Sequence, residues 1–147
     1  MSRLVRIYVA RAARLPMQER TSVEVETGKG IVGDRYHGTG FRQVTVQSAA
    51  ALAHAASEYG APVPVGLTRR NLTIDEGEVP TAPGRLIRVG PVLLEVVCIR
   101  QPCQRLDDAI GPGVKEVLRG RAGSLCRVLE GGTVQVGDPV DLDAAGA

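Results

Sequence analysis

The sequence predicts a mainly β chain whose strands close, or nearly close, into a barrel, with one clear helix and one short helical segment. Three observations carry this reading. The dominant hydrophobic period is two, about eight short apolar runs are separated by Gly and Pro turn signals, and one stretch alone has strong helical spacing. A small sheet of that size exposes its edges unless it closes on itself. At 147 residues and 15.5 kDa the chain fits one compact domain, residues 1–147, able to bury about two thirds of its unfolded surface. Its 44% hydrophobic and 23% charged residues are those of an ordered globular chain, not a disordered one.

The elements follow in order. Arg3 to Val9 places Val5, Ile7 and Val9 on one face, and Ser22 to Glu26 alternates Val23 and Val25 with polar residues, so both read as strands. Gly28 to Gly40 carries five glycines and reads as a long loop, of the kind that is more often functional than ornamental. Gln43 to Gln47 is a short strand. Ser48 then caps a helix that runs through Tyr59, with Leu52, Ala55, Ala56 and Tyr59 on one stripe and Gly60 placed to end it. Pro62 to Gly66 is a connector and Asn71 to Ile74 a strand. After the Pro83-Gly84 turn, Arg85 to Val89 and Val92 to Ile99 form two strands joined at Gly90-Pro91. Leu106 to Gly120 reads as a short helical turn, a bend at Gly111-Pro112-Gly113 and a second turn through Leu118. Ser124 to Glu130 and Thr133 to Val136 flank Gly131-Gly132, a two-residue hairpin signal, and Gly137-Asp138-Pro139 leads into a last strand, Val140 to Leu142.

Composition excludes several classes. The longest apolar stretch, Val92 to Ile99, is interrupted by Glu95 and falls far short of the roughly 18 residues of a membrane helix. No secretory signal follows Met1, so a cytoplasmic protein without membrane contact is expected. A net charge of +2 and only four aromatic residues, Tyr8, Tyr36, Phe41 and Tyr59, argue against a nucleic-acid partner. Sixteen of the 18 basic residues are arginine, whose planar fork binds phosphate and carboxylate bidentately; codon bias is the plainer explanation. Three cysteines without a CxxC pair suit a reducing compartment and offer no structural zinc site.

Among residues able to do chemistry, Cys98 and Cys126 sit in apolar strands and read as small buried hydrophobes. Cys103 differs. It follows Pro102 in the polar run from Arg100 through Gln101 to Arg105, where two arginines favour the thiolate, both a nucleophile and a soft-metal ligand. On composition alone an unreactive loop cysteine is an equal reading. His54 belongs to the helix surface near Glu58. His37 lies in the glycine loop beside Gly33, Asp34 and Arg35, where backbone amides can approach an anion, although the spacing is neither a P-loop nor a dinucleotide fingerprint. Arg69, Arg70 and Asn71 offer two guanidinium forks beside an amide, a candidate phosphate clamp or an ordinary exposed basic pair.

Taken together and in order, Gly30-Ile31-Val32-Gly33-Asp34-Arg35-Tyr36-His37, Arg42 to Val46, Asn71-Leu72, the strand after Gly90, Pro102-Cys103, Arg127 to Gly132 and Val136-Gly137-Asp138 resemble the molybdenum-cofactor sulfurase C-terminal domain family, MOSC, from about Gly28 to Val140. Many stand-alone members carry Glu before the Asn-Leu pair. Here Arg70 stands there, as in the branch similar to the amidoxime-reducing proteins. The resemblance implies a MOSC-type β-barrel. It also implies that Cys103 either ligates molybdenum of a bound molybdopterin cofactor or carries sulfur as a persulfide. By the same analogy Gly33, Asp34, Arg35, His37, Ser48, Arg69, Arg70, Asn71 and Gln101 would hold the cofactor, whose phosphate end needs oriented donors.

Three functions are then open. The first is reduction of an N-oxygenated small molecule on molybdenum cofactor, with electrons from a partner protein, because no flavin, haem or iron-sulfur motif is readable. The second is a sulfur carrier or sulfurtransferase whose Cys103 persulfide comes from a cysteine desulfurase in trans, the pyridoxal-phosphate domain of larger members being absent. The third is a non-catalytic barrel that binds an anion.

Overall fold

The computed structural model describes residues 2–145. Eleven strands succeed one another: β1 (Ser2–Val9), β2 (Gln18–Arg20), β3 (Ser22–Glu26), β4 (Gly30–Ile31), β5 (Val44–Ser48), β6 (Leu72–Ile74), β7 (Leu86–Val89), β8 (Val92–Ile99), β9 (Ser124–Glu130), β10 (Gly132–Gln135) and β11 (Pro139–Asp141). Three helices interleave with them: α1 (Ala49–Tyr59), α2 (Gln104–Ala109) and α3 (Val114–Val117). Seven strands form a closed ring in the order β11-β7-β8-β9-β5-β6-β1, and β1 returns to β11 through Ser2 opposite Val140. The barrel is therefore real, and only β5 and β6 run parallel within it. β2 extends β1 outside the ring, and β10-β3-β4 form a second small sheet.

Period-two patterning fills the ring. Leu4, Ile7, Val44, Val46, Leu72, Ile74, Ile87, Val89, Leu94, Val96 and Val140 are all essentially without exposure and pack as one cluster. A separate cluster of Leu52, Ala55, Leu106, Val114 and Leu118 binds the three helices together. α1 starts and stops where local chemistry dictates. The Ser48 hydroxyl accepts from the Ala51 amide, and Gly60 ends the helix in the left-handed region at φ 81°.

Four expectations change. Gly131-Gly132 is not a hairpin turn, because β10 pairs with β3, Gly132 opposite Val25 through Gln135 opposite Ser22, and not with β9. Glycine is needed at 131 for another reason: a Cβ there would overlap the Val25 carbonyl oxygen where the chain crosses β3. The glycine loop from 28 to 40 contains β4, which pairs with β3 at Val25 and Glu26. α2 begins earlier than expected, so that Cys103 is its N-terminal flanking residue. Cys98 is half-buried, whereas Cys126 is fully buried in the ring. Among the described residues no helix is long and apolar enough to cross a membrane.

Candidate functional site

Three short segments and the end of β8 converge on Cys103. The Arg100 amide donates to the Gly123 carbonyl at 2.8 Å, which holds the chain leaving β8 beside the start of β9. Pro102 has its own φ locked by its ring, and Cys103 follows in extended backbone at φ −122°, ψ 169°. Buried Leu106, one turn into α2, anchors the segment in the helical cluster and leaves Cys103 itself exposed. The thiol opens on a cleft of about 70 Å³ walled by Arg35, Tyr36, Arg69, Arg70, Arg100 and Arg105, with Ala13, Thr68 and Leu106 completing it. Among the described residues no carboxylate lines that cleft.

The guanidinium groups are held differently. Arg35 donates to Asp34 Oδ1 at 3.1 Å and to the Arg69 carbonyl at 3.3 Å, and it lies 4.3 Å over the Tyr36 ring. Arg69 sits in the left-handed region at φ 60°, rare for a residue with a Cβ, and donates to the Leu15 and Ala13 carbonyls. Burial, and then the charges of Arg35 and Arg105, push its pKa down. Arg70 is 6% exposed and donates from Nε to the Ala122 carbonyl and from Nη1 to the Thr68 carbonyl. Among the described residues its Nη2 meets no acceptor. Burial first, and then the neighbouring Arg100, bring Arg70 down to about 10, so it still carries its charge at neutral pH. Arg100 Nε is buried without a partner. Two like charges thus stand side by side with unused donors and, among the described residues, no carboxylate lining the cleft to neutralise them.

The other anticipated residues are placed elsewhere. Asp34 is buried and accepts from the Ala10 and Tyr36 amides as well as from Arg35, so it fixes the loop rather than facing the cleft. Gly33 turns that loop at φ 90° with open space beside it. His37 faces β3, with Nε2 3.4 Å from Glu26. Asn71 is fully buried; its side chain accepts from the Thr45 amide and hydroxyl and donates to the Tyr8 carbonyl, tying β1 to β5. Ser48 is occupied in capping α1. It also borders a larger cleft of about 190 Å³, where the only guanidinium among the described residues, that of Arg121, is already paired with Glu58 at 2.8 Å. Gln101 is exposed and does not line the thiol cleft. Of the nine anticipated cofactor contacts, the cleft thus gathers Arg35, Arg69 and Arg70. It adds Arg100 and Arg105, visible in the sequence only as neighbours of Cys103, and Tyr36, visible only as part of the glycine loop.

Fold and site together define a closed β-barrel protein that presents a cysteine beside an arginine-lined cleft. The sequence profile of the MOSC domain matches residues 33–141, and the chain belongs to that family. Solved structures agree in fold. The YUAD protein from Bacillus subtilis superposes with a TM-score of 0.83 at 18% identity, covering 95% of this chain and 94% of that one. YiiM from Geobacillus stearothermophilus gives 0.75 at 20% identity over 97% of this chain and 75% of its own. YiiM from Escherichia coli gives 0.67 at 20% identity over 99% and 71%. At those identities the likeness extends to the fold alone. No curated protein matches the chain.

Proposed function

We propose that this MOSC-domain protein binds molybdenum cofactor, with Cys103 as the metal ligand, and reduces an N-oxygenated small molecule using electrons from a partner protein. The observation that carries the reading is the exposed Cys103 thiol at the mouth of a cleft where Arg70 and Arg100 keep unused donors and no acid competes. The donor set fits the group: a thiol supplies a soft-metal ligand, and guanidinium forks suit the phosphate of a pterin cofactor. The residues to hold it are Cys103, Arg35, Arg69, Arg70, Arg100 and Arg105. Asn71 and Ser48 act behind them, as strand tie and helix cap.

When bound, the metal would supply the two-electron chemistry of oxygen removal. Reduction of a hydroxylamine to an amine consumes two electrons and two protons and releases one water. The chain's own part is to fix the thiol through Pro102 and Leu106 and to neutralise the ligand's negative charge. Expression in a cofactor-competent host, followed by elemental analysis and pterin fluorescence, tests the assignment. Wild-type protein should retain molybdenum, whereas Cys103→Ser should lose most of it and keep its melting temperature. Unchanged molybdenum content in that variant would overturn the ligand role.

Exposure of Cys103 favours a second reading, as a sulfur carrier, because another protein's persulfide can reach it. In that exchange a desulfurase persulfide passes its outer sulfur to the Cys103 thiolate and leaves as a thiolate. A mass gain of one sulfur atom on the Cys103 peptide after desulfurase treatment, in protein free of molybdenum, distinguishes this reading from the first.

A further inference from the structure

Along one side the wall of the thiol cleft is an exposed loop. Val9 pairs with Gln18, so residues 10–17 form the loop of the β1–β2 hairpin. Both ends of that loop are secured: the Ala10 amide donates to Asp34, the Ala10 carbonyl accepts from the Arg35 amide, and Met17 sulfur accepts from Arg35. Between them residues 11–16 are all exposed, and Ala13 lines the cleft. Among the described residues, three hydrogen bonds alone join this strap to the rest of the molecule. Arg69 donates to the Leu15 carbonyl at 2.8 Å and to the Ala13 carbonyl at 2.9 Å, and Arg105 donates to the Ala13 carbonyl at 3.1 Å.

We propose that the strap at residues 11–16 is a gate over the thiol cleft, latched shut by Arg69 and Arg105 and released when a tetrahedral oxyanion draws those two guanidinium groups inward. The proposal rests on the anion-site reading above and adds its regulation. Carbonyl oxygens are neutral acceptors, and a bidentate oxyanion is the stronger partner for the same fork. Arg69 is crowded by Arg35 and Arg105, and an anion among them relieves that repulsion. The Ala13 and Leu15 carbonyls, once let go, turn to water at little cost because the strap is already exposed. The left-handed backbone at Arg69 gives the latch its direction, since it aims one side chain at two strap carbonyls while its own carbonyl takes Arg35. A cleft of about 70 Å³ holds one oxyanion-sized group, so a larger ligand needs a wall that moves, and the strap is held by those three bonds alone.

Trypsin reads the gate directly, because Arg11 and Arg14 are both in the strap. Cleavage after each is followed by mass spectrometry in saturating inorganic phosphate and in chloride of equal ionic strength. Phosphate should speed both cuts about threefold or more, since proteolysis tracks the open population. Arg69→Asn tolerates the left-handed backbone and removes the fork. It should be cut that fast without phosphate and gain nothing from it. Arg105→Met, on the exposed start of α2, should show a smaller rise, with circular dichroism confirming that both variants are folded. Phosphate that slows the cuts or leaves them unchanged, or an Arg69→Asn strap as resistant as wild type, overturns the gate. Loss of molybdenum binding alone leaves this result standing, and a silent strap leaves the metal assay standing.

Discussion

Burial gives Cys126 and Arg70 opposite roles in alkaline stability. Cys126 is held among barrel side chains, and desolvation, with Cys98 nearby, pushes its thiol up to about 12 from an ordinary 9.0. The unfolded chain therefore loses this proton first as the pH climbs past 9. Stability falls from that point, by at most about 1.4 kcal/mol per pH unit. For Arg70 the sign reverses. Its value is lowered to about 10 from 12.5, so above pH 10 the folded chain sheds the proton before the unfolded chain does, and this group's contribution rises. The Cys126 loss therefore acts unopposed between pH 9 and 10. Urea denaturation at several pH values should show that Cys126→Ala, though less stable overall, has a flatter pH dependence than wild type in that window. Parallel slopes for the two proteins would remove Cys126 as the cause.

At the level of elements, glycines decide where the ring meets its loops. Gly123, at φ 86°, brings the chain into β9 directly against β5, and a Cβ there would overlap the Val46 carbonyl oxygen. That backbone cannot retreat without breaking the β5–β9 ladder, where Val46 lies opposite Ser124. Gly123→Ala should cost about 3 kcal/mol or more, measured as a lowered denaturation midpoint with an unchanged slope, whereas Gly120→Ala, with open space beside it, should cost about 1 kcal/mol. Such crossings explain what could be read in advance. All the strands but β2 and β4, together with α1, were legible because alternation, a serine cap and a terminal glycine are local signals. The partner of β10 was not. Gly131-Gly132 has the composition of a hairpin, but pairing to β3 depends on a backbone approach about a hundred residues away in sequence. In the site the motifs located Cys103, Arg35, Arg69 and Arg70. Asn71 and Ser48 lie outside the thiol cleft, polar residues whose bonding capacity the fold consumes. The strap could not be read at all, because its carbonyl contacts leave no mark in residue type.

Across the whole molecule, positive charge is paired unevenly. Among the described residues, six of the eleven arginines outside the thiol cleft, Arg6, Arg85, Arg88, Arg119, Arg121 and Arg127, meet a carboxylate, whereas of the five at the cleft only Arg35 does. The near balance of 18 basic and 16 acidic residues thus conceals a concentrated positive site. Folding assembles it from segments around residues 35, 69, 100 and 105, so the site exists only in the native chain, and an anion bound there stabilises the whole fold by mass action. At about one hundred times the dissociation constant that linkage is worth about 2.7 kcal/mol, equivalent to about 5–10 °C in melting temperature for a chain of this size. Phosphate or molybdate should therefore raise the melting temperature while chloride at equal ionic strength does not, a control that separates binding from screening. Arg70→Met with Arg100→Met removes the two groups that keep unused donors while filling their space with an apolar chain. The double variant should melt at the same temperature in phosphate and in chloride. An undiminished phosphate shift would mean that the oxyanion binds elsewhere, and the arginine cleft would then be a structural cluster whose repulsion the barrel simply tolerates.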